Sequence, residues 1–270
     1  MRFATVCVSA CDGIAHLARG LAPGLPPTLR PAWPCVLHTL LPNLCALCGN
    51  LSRQTLCTAC DSAYWNESRL RCTVCALPLS SRGRQSGGAS HRCTDCRAEP
   101  PPFDATFALA DYRAPLDTLA IGLKFGARLR LARDFAQRLA RQAEDSWQQA
   151  SDRPDVIAPV PLARRRLVER GYNQAWQIAR PLARALTVRS DARLVRRVVH
   201  TAPQSRLDLA ARRLNVGRAF EVARPVHGLH VGIVDDVMTT GATLEALART
   251  LKAAGARRVT NFVALRTPKN

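Results

Sequence analysis

The sequence predicts an α/β fold, in which a domain built on a mostly parallel sheet follows a small cysteine-rich module. Two observations predict this class. From residue 103 onward, apolar segments of strand length alternate with segments of helical periodicity, which is typical of parallel sheets. Upstream, eight of the 11 cysteines fall into four Cys-x-x-Cys pairs. The 270 residues are enough for two modest domains with a sizeable core.

Residues 1–38 precede the cysteine pairs and are predicted to be a flexible leader. Five prolines lie between residues 23 and 34, and such clusters favour extended chain. The apolar stretch at residues 6–10 is soon followed by Asp12 and is too short for an export signal. Because no apolar run approaches the roughly 18 residues that a membrane helix needs, we expect a cytoplasmic protein without a membrane span.

Residues 39–100 are predicted to form a double zinc ribbon. A Cys-x-x-Cys pair lets two thiolates converge on one tetrahedral ion, and two pairs complete a four-sulfur zinc site. Four pairs therefore indicate two structural Zn²⁺ ions, with no open position for catalysis. The candidate ligands are Cys45, Cys48, Cys57, Cys60, Cys72, Cys75, Cys93 and Cys96.

Other cysteine chemistries fit this pattern less well. A disulfide framework needs an oxidising compartment, a redox pair normally stands alone, and iron–sulfur clusters rarely use evenly matched pairs. The ligand pairs themselves can combine in sequential or in interleaved order. We favour the sequential order, because each site then closes over a short loop at little entropic cost. The Gly- and Ser-rich residues 80–90 are expected to be an excursion within the second ribbon.

Residues 101–270 begin within a run of prolines and are predicted to form the α/β domain. Strands are expected at residues 103–112, 155–159, 194–199, 230–235 and 259–265. Helices are expected at residues 116–123, 131–139, 173–186, 207–214 and 243–254. Pro181 should kink or break the third of these helices, and Gly255 should end the last.

The segment after the strand at residues 230–235 has the pattern of a phosphate-binding turn. Backbone N–H groups of residues 238–242 and three threonine hydroxyls can face an anion at a helix N-terminus. Asp235 and Asp236 can accept hydrogen bonds from vicinal hydroxyls, and a phosphate joined to a diol describes ribose 5-phosphate. The alternative is an ordinary strand–turn–helix. The candidate phosphate ligands are Thr239, Thr240, Gly241, Ala242 and Thr243.

Residues 234–243 resemble the signature with which type I phosphoribosyltransferases bind phosphoribosyl pyrophosphate (PRPP). Together with other segments, they make the chain similar to the ComF family over residues 40–266. Those segments are Leu44-Cys45-Ala-Leu-Cys48-Gly49, Leu123-Lys-Phe125, Pro159-Val-Pro-Leu162, Arg170-Gly-Tyr-Asn-Gln174, Gln204, and Arg213 with Asn215. The combination is more specific than any one motif.

The resemblance implies a type I phosphoribosyltransferase domain and a role for each matching residue. Asp235 and Asp236, the implied catalytic residues, would bind the ribose 2′- and 3′-hydroxyls, and residues 239–243 the 5-phosphate. The turn at Val160 would form the pyrophosphate loop, with Lys124, Arg164 and Arg170 near the diphosphate. Mg²⁺ would accompany PRPP and be held chiefly by substrate oxygens and water.

Positive charge is concentrated in one part of the sequence. The net charge is +19, and residues 159–218 alone hold 14 arginines against three carboxylates. Such a block favours a polyanionic partner over an ordinary solvated surface, although coding bias also raises arginine content. Under the resemblance, Arg206, Arg212 and Arg213 are candidate contacts to single-stranded DNA.

Two functions follow from these expectations. The first is a component of DNA uptake in natural transformation, which binds PRPP and single-stranded DNA and works with a competence helicase or the uptake machinery. The alternative is an active, Mg²⁺-dependent phosphoribosyltransferase, a glycosyltransferase acting on an unidentified base or nucleotide. A regulatory variant, in which PRPP gates DNA binding without turnover, also fits. The sequence leaves turnover itself open.

Overall fold

The computed structural model of the protein describes residues 43–65, 70–79, 91–126, 128–198 and 219–269. The chain divides into two compact units, and the boundary along the chain lies between Asp61 and Ser62. The predicted leader (1–38), the excursion at 80–90 and the helix at 207–214 lie outside the described residues, as do Arg206, Arg212 and Arg213.

The first unit is built around the first two cysteine pairs. Strands β1 (Asn43–Leu44) and β2 (Leu51–Ser52) form an antiparallel pair, and a short helix α1 (Thr58–Cys60) follows. The backbone N–H of Cys45 donates to the carbonyl of Asn50 at 2.7 Å. This turn closes the first Cys-x-x-Cys loop within a few residues.

The second unit contains the other two cysteine pairs and the α/β sheet. A single π-helical turn, Asp61–Trp65, leads into it, and Trp65 stacks on Phe135 with ring centroids 5.6 Å apart. The elements are α2 (Thr94–Ala98), β3 (Ala105–Asp111), α3 (Asp117–Phe125), α4 (Leu129–Ser146), β4 (Val156–Pro159), α5 (Arg164–Arg170), α6 (Gln174–Ala185), β5 (Arg189–Ser190), β6 (Val195–Arg197), β7 (Phe220–Val222), β8 (His230–Met238), α7 (Ala242–Ala253) and β9 (Arg258–Arg266).

The main sheet has five strands in the order β3-β9-β8-β4-β5, and every pair in it is parallel. This confirms the predicted class. The central strand β8 is buried over its first five residues, of which all but His230 are apolar, as expected for a strand covered on both faces. Gly232 lies where an added Cβ would approach Ile157 and Phe262 to 3.1 Å, so side chains of the flanking strands fill its place.

Three local expectations need correction. Strand β8 runs to Met238, three residues beyond the predicted end, because Val237 and Met238 still pair with β9. Pro181 is expected to kink or break its helix, and the break is wrong, since α6 continues to Ala185. Its buried face, which includes Ile178 and Leu182, outweighs the roughly 3 kcal/mol that an interior proline costs. The strand predicted at 194–199 is present as β6 but pairs antiparallel with β7, outside the main sheet.

No helix within the described ranges is both long and apolar enough to cross a bilayer. The described residues also place the second cysteine cluster in the same compact unit as the sheet. The independent folding of residues 39–100 and of residues 101–270 stays a prediction.

Candidate functional site

The carboxyl end of β8 carries the candidate phosphate loop, residues 239–243. Gly241 caps α7 with a φ of +92°, and a Cβ at this position would lie 2.7 Å from the Met238 Cε. Both facts require glycine here. Thr239, Thr240 and Thr243 are exposed, so their hydroxyls are accessible to a ligand at the start of the helix.

Asp236 lies just before this loop and is buried by two neighbouring helices. Its Oδ2 forms an ion pair with the Lys124 Nζ at 2.8 Å, and its Oδ1 accepts from the Gln174 Nε2 at 3.3 Å. Helix α3 supplies the lysine and helix α6 the glutamine. A buried carboxylate is costly unless it is paired, and these two partners meet that requirement.

Asp235 precedes it on the strand, where adjacent side chains point to opposite faces of the sheet. Its Oδ1 accepts from the backbone N–H of Asp236 at 2.9 Å. Withdrawal from water and the negative charge of Asp236 raise the pKa of Asp235 well above its ordinary value. The pair therefore favours a proton, a cation or a donor hydroxyl beside it.

Residues 170–174 connect α5 to α6 and hold α3 beside the acidic pair. The guanidinium of Arg170 lies 5.3 Å from the ring centroid of Phe125 and donates to the Gln174 Oε1. The Tyr172 hydroxyl donates to the carbonyl of Leu123. Because these contacts fix the end of α3, they also place Lys124 against Asp236.

Asn173 connects the same segment to β4. Its Nδ2 donates to the carbonyl of Val160 at 3.0 Å, while its Oδ1 caps α6 by accepting from the Ala175 N–H at 2.9 Å. Three sequence motifs, at residues 123–125, 159–162 and 170–174, thus meet next to β8.

The predicted pyrophosphate ligands are placed unequally. The N–H of Val160 already donates to the carbonyl of Val234 at 2.9 Å, so Val160 anchors the loop to the sheet. Arg164 is exposed at the start of α5, and Arg170 is half-buried. Lys124 is partly exposed and forms an ion pair with Asp236. Sequence reasoning gave Gln174 no role, although its side chain links Arg170 to Asp236.

The first cysteine cluster fits a tetrahedral ion. The Sγ atoms of Cys45, Cys48, Cys57 and Cys60 all lie within 4.8 Å of one another, and those of Cys48 and Cys57 are 3.7 Å apart. A tetrahedral zinc site with Zn–S bonds of about 2.3 Å requires sulfurs about 3.8 Å apart. Burial raises the pKa of Cys45, but hydrogen bonds from the backbone N–H groups of Cys48 and Cys57 outweigh it and lower that pKa to about 6.

The second cluster has the same geometry. The Sγ atoms of Cys72, Cys75, Cys93 and Cys96 also lie within 4.8 Å of one another, with 3.6 Å between those of Cys75 and Cys93. The hydrogen bond from Cys75 lowers the pKa of Cys72 to about 4, and the same contact raises the pKa of Cys75. A divalent cation removes this competition between neighbouring thiols.

These two clusters confirm the sequential pairing of the ligands. The sulfur separations of 3.6 and 3.7 Å are far longer than the roughly 2.05 Å of a disulfide bond, and all eight cysteines are free thiols. Two four-cysteine sites therefore fit two structural zinc ions.

The second cluster is attached to the edge of the sheet at β3. Arg71, just before Cys72, bonds the Asp111 Oδ1 at 2.9 Å through its Nη2 and the carbonyl of Ala76 at 3.0 Å through its Nη1. The N–H of Thr106 donates to the carbonyl of Thr73 at 3.1 Å. Asp111 is buried at the end of β3, so the loop of the cluster is part of the packed interior.

Arginines cover the surface that follows β4. Within residues 159–198, nine arginine side chains are exposed, and Glu169 and Asp191 are the acidic residues of that range. Arg165 contacts Glu169 at 2.7 Å along the exposed face of α5. The exposed arginines are Arg164, Arg165, Arg166, Arg180, Arg184, Arg189, Arg193, Arg196 and Arg197.

Comparison with solved structures finds a purine phosphoribosyltransferase from Pyrococcus horikoshii Ot3. It is 19% identical, with a TM-score of 0.32, and the match covers 52% of this chain and 85% of that one. The predicted fold class is confirmed by the parallel sheet and by the two four-cysteine sites that precede it.

Comparison with characterised sequences is more informative. Residues 36–102 match the model of the double zinc ribbon domain. The DNA utilization protein YhgH of Salmonella typhi is 36% identical over 231 residues, which cover 84% of this chain and 98% of that protein. Competence protein F of Haemophilus influenzae is 31% identical over 78% of this chain and 91% of its own length. On this evidence the chain belongs to the ComF family of competence and DNA utilization proteins.

Proposed function

We propose that this chain binds PRPP with Mg²⁺ at the carboxyl end of β8 and takes part in the use of DNA by the cell, with single-stranded DNA as its macromolecular partner. One observation carries the ligand site. The buried Asp236, held by Lys124 and Gln174, lies next to Asp235 and just before an exposed phosphate loop. The names of the relatives support the link to DNA.

In this proposal, each part of the ligand meets a different part of the site. The ribose hydroxyls donate to Asp235 and Asp236, and the 5-phosphate accepts from the backbone N–H groups and threonine hydroxyls of residues 239–243. Arg164 and Arg170 face the diphosphate, and Lys124 is shared between the diphosphate and Asp236. Val160 contributes by anchoring the pyrophosphate loop through its backbone.

Mg²⁺ bound to the substrate would neutralise charge on the diphosphate. The residues present suit that role, because Asp235 has a raised pKa and therefore favours a nearby cation. The ion itself would be held mainly by substrate oxygens and water. The chain then orients the ribose and holds the phosphate, and Arg164 and Arg170 oppose the negative charge of the diphosphate.

Turnover is the second candidate function, and Asp235 is the observation that favours it. In phosphoribosyl transfer, the bond between the anomeric carbon and the pyrophosphate oxygen breaks, and a bond from an acceptor nitrogen forms. Pyrophosphate leaves with the electron pair, and the acceptor loses a proton. A carboxylate with a raised pKa is suited to accept that proton. The acceptor would be a base or a nucleotide.

The arginine-rich surface at residues 159–198 is the proposed contact for single-stranded DNA. It is exposed and has nine exposed arginines against Glu169 and Asp191, and it continues in sequence toward Arg206, Arg212 and Arg213. Such contacts are made to phosphates and depend steeply on salt. Partners would include a competence helicase or the uptake machinery, on the cytoplasmic side.

Thermal unfolding with PRPP and Mg²⁺ tests the ligand site. At about 100 times its Kd, a ligand stabilises the native state by roughly 2.7 kcal/mol, so the wild-type melting temperature should rise. The double variant Asp235→Asn/Asp236→Asn should lose the rise. Asp145→Asn, which removes an exposed carboxylate from α4, is the matched control and should keep it. A wild type that melts at the same temperature with and without PRPP would contradict the proposal.

A further inference from the structure

The side chain of Arg266, at the end of β9, is buried and contacts two separate parts of the second unit. Its exposed fraction is 3%. Its Nε donates to the carbonyl of Cys75 at 2.9 Å. Its Nη1 lies within hydrogen-bond distance of the carbonyls of Met238 at 3.0 Å and of Thr239. One guanidinium therefore joins a ligand of the second cysteine cluster to the phosphate loop.

These carbonyls matter because each lies in one peptide plane with the following N–H. A trans peptide is planar, and its C=O and N–H point in opposite directions. When the carbonyls of Met238 and Thr239 face Arg266, the N–H groups of Thr239 and Thr240 face away from it. Arg266, together with the Thr267 N–H that donates to the Met238 carbonyl at 2.9 Å, thus sets the direction of two donors at the start of the phosphate loop.

The second cluster gives the buried Arg266 side chain a nearby negative charge and a hydrogen-bond acceptor. Burial opposes the positive charge of Arg266, while the thiols of Cys75 and Cys93 favour it. Four thiolates around one Zn²⁺ carry a net charge of two negative units, so a loaded cluster is a counter-charge held at a fixed distance. Its loop also holds the Cys75 carbonyl in the place where the Nε donates to it.

We infer that Arg266 is a positioning residue that couples the second four-cysteine cluster to the phosphate loop, so that metal at Cys72, Cys75, Cys93 and Cys96 orders the loop amides that receive a phosphate. The functional meaning of this coupling rests on the proposed PRPP site. The mechanical coupling itself rests on the hydrogen bonds of Arg266. The two can therefore be tested separately.

Backbone order parameters from ¹⁵N relaxation, measured in the absence of any nucleotide, test the coupling. Cys93→Ser removes one ligand of the second cluster, and Cys57→Ser is the matched change in the first. Since the hydrogen bonds that hold the loop carbonyls are loosened, the order parameters of the Thr239 and Thr240 N–H groups should fall in Cys93→Ser from a rigid value of about 0.85 toward about 0.6. They should keep the wild-type values in Cys57→Ser.

Arg266→Lys makes the test sharper. A lysine can still donate to one loop carbonyl, but its single ammonium cannot also hold the Cys75 carbonyl. The Arg266→Lys variant should therefore have lower order parameters at Thr239 and Thr240 than the wild type, and adding Cys93→Ser to it should produce little further change. This non-additivity is the signature of coupling through the arginine. If Arg266→Lys does not fold, the comparison of Cys93→Ser with Cys57→Ser still decides.

Two results would overturn the inference. One is a set of unchanged order parameters at Thr239 and Thr240 in Cys93→Ser. The other is an equal fall throughout β4 and β8, because the cluster would then stabilise the whole sheet without acting on the loop. If the order parameters change as expected but the wild type does not bind PRPP, the coupling stands and the proposed function fails.

Discussion

The two four-cysteine clusters have the same ligands and nearly the same sulfur spacing, yet they are held by different surroundings. The first, at residues 45–60, closes through hydrogen bonds within its own loop, such as that from Cys45 to Asn50. The second, at residues 72–96, also bonds β3 and β9 through Arg71 and Arg266. Identical coordination can thus complete a small module in one place and support the edge of a sheet in another.

Removing a buried ligand from each cluster is the strongest way to break this comparison. Cys72→Ser removes one thiolate ligand of the second cluster, so that its metal ion is no longer fully coordinated inside a packed unit. The free energy of unfolding of the sheet should therefore fall by roughly 3–5 kcal/mol. Cys45→Ser should leave the sheet transition unchanged. Denaturant unfolding followed by far-UV circular dichroism, with zinc content measured for each variant, checks this. Equal losses in the two variants would show that the clusters play the same role.

Acid should also destabilise the sheet of the second unit, because it contains a buried histidine. The described residues of the first unit contain no histidine. His230 is fully buried in β8, and its Nδ1 donates to the Arg153 carbonyl while its Nε2 accepts from the Thr260 hydroxyl. Burial, with Arg258 and Arg257 nearby, lowers the pKa of His230 from 6.5 to about 4.

Between these two pH values the unfolded chain binds a proton that the native chain does not. The stabilisation is therefore complete above about pH 6.5 and is lost as the pH falls toward 4, in total about 3 kcal/mol. His230→Gln, which keeps all eight cysteines, should flatten the pH dependence of unfolding in this window. An unchanged slope in His230→Gln would assign the acid sensitivity to the thiolates instead.

A smaller effect is expected from the link between the second cluster and β3. Arg71→Met leaves the buried Asp111 without its 2.9 Å partner, so the free energy of unfolding should fall by about 2 kcal/mol. Arg53→Met, an exposed change in the first unit, should stay within about 0.5 kcal/mol of wild type. If chemical denaturation gives both variants the same midpoint, the link contributes nothing.

The smallest effect on stability should come from the exposed arginines of α5. Replacing Arg164, Arg165 and Arg166 with alanine should change the free energy of unfolding by less than about 0.5 kcal/mol. If this surface contacts single-stranded DNA, the salt dependence of binding should become shallower by about 0.7 for each phosphate that the variant no longer neutralises. Fluorescence anisotropy over a range of salt concentrations measures this slope. The same slope in the variant and the wild type would remove α5 from the DNA surface.

Much of the architecture was predictable because its signals are local. The Cys-x-x-Cys spacing identified the ligand sets, and loop length favoured their sequential pairing. Alternating periodicity predicted β3, β4, β8 and β9. Pro181 misled because its local cost is outweighed by burial of α6. The end of β8 was misplaced because pairing with β9 continues past the acidic pair, and no local pattern reports such pairing.

The contacts around the site were harder to predict. Lys124 and Gln174 meet Asp236 from helices that are about 50 residues apart along the chain, and only the fold brings them together. In the sequence, Arg266 is one more basic residue after an apolar strand. Its burial and its four carbonyl partners, of which Cys75 belongs to the second cluster, are visible only in the folded chain.

The bond between Arg266 and the Cys75 carbonyl spans 191 positions of the chain, and this separation has a consequence for assembly during synthesis. The eight cysteines leave the ribosome well before β9 exists, so both clusters can load metal while the sheet is still incomplete. Contacts this distant in sequence form late in folding. Metal capture would then come first, and the phosphate loop would reach its final geometry only when the last strand docks.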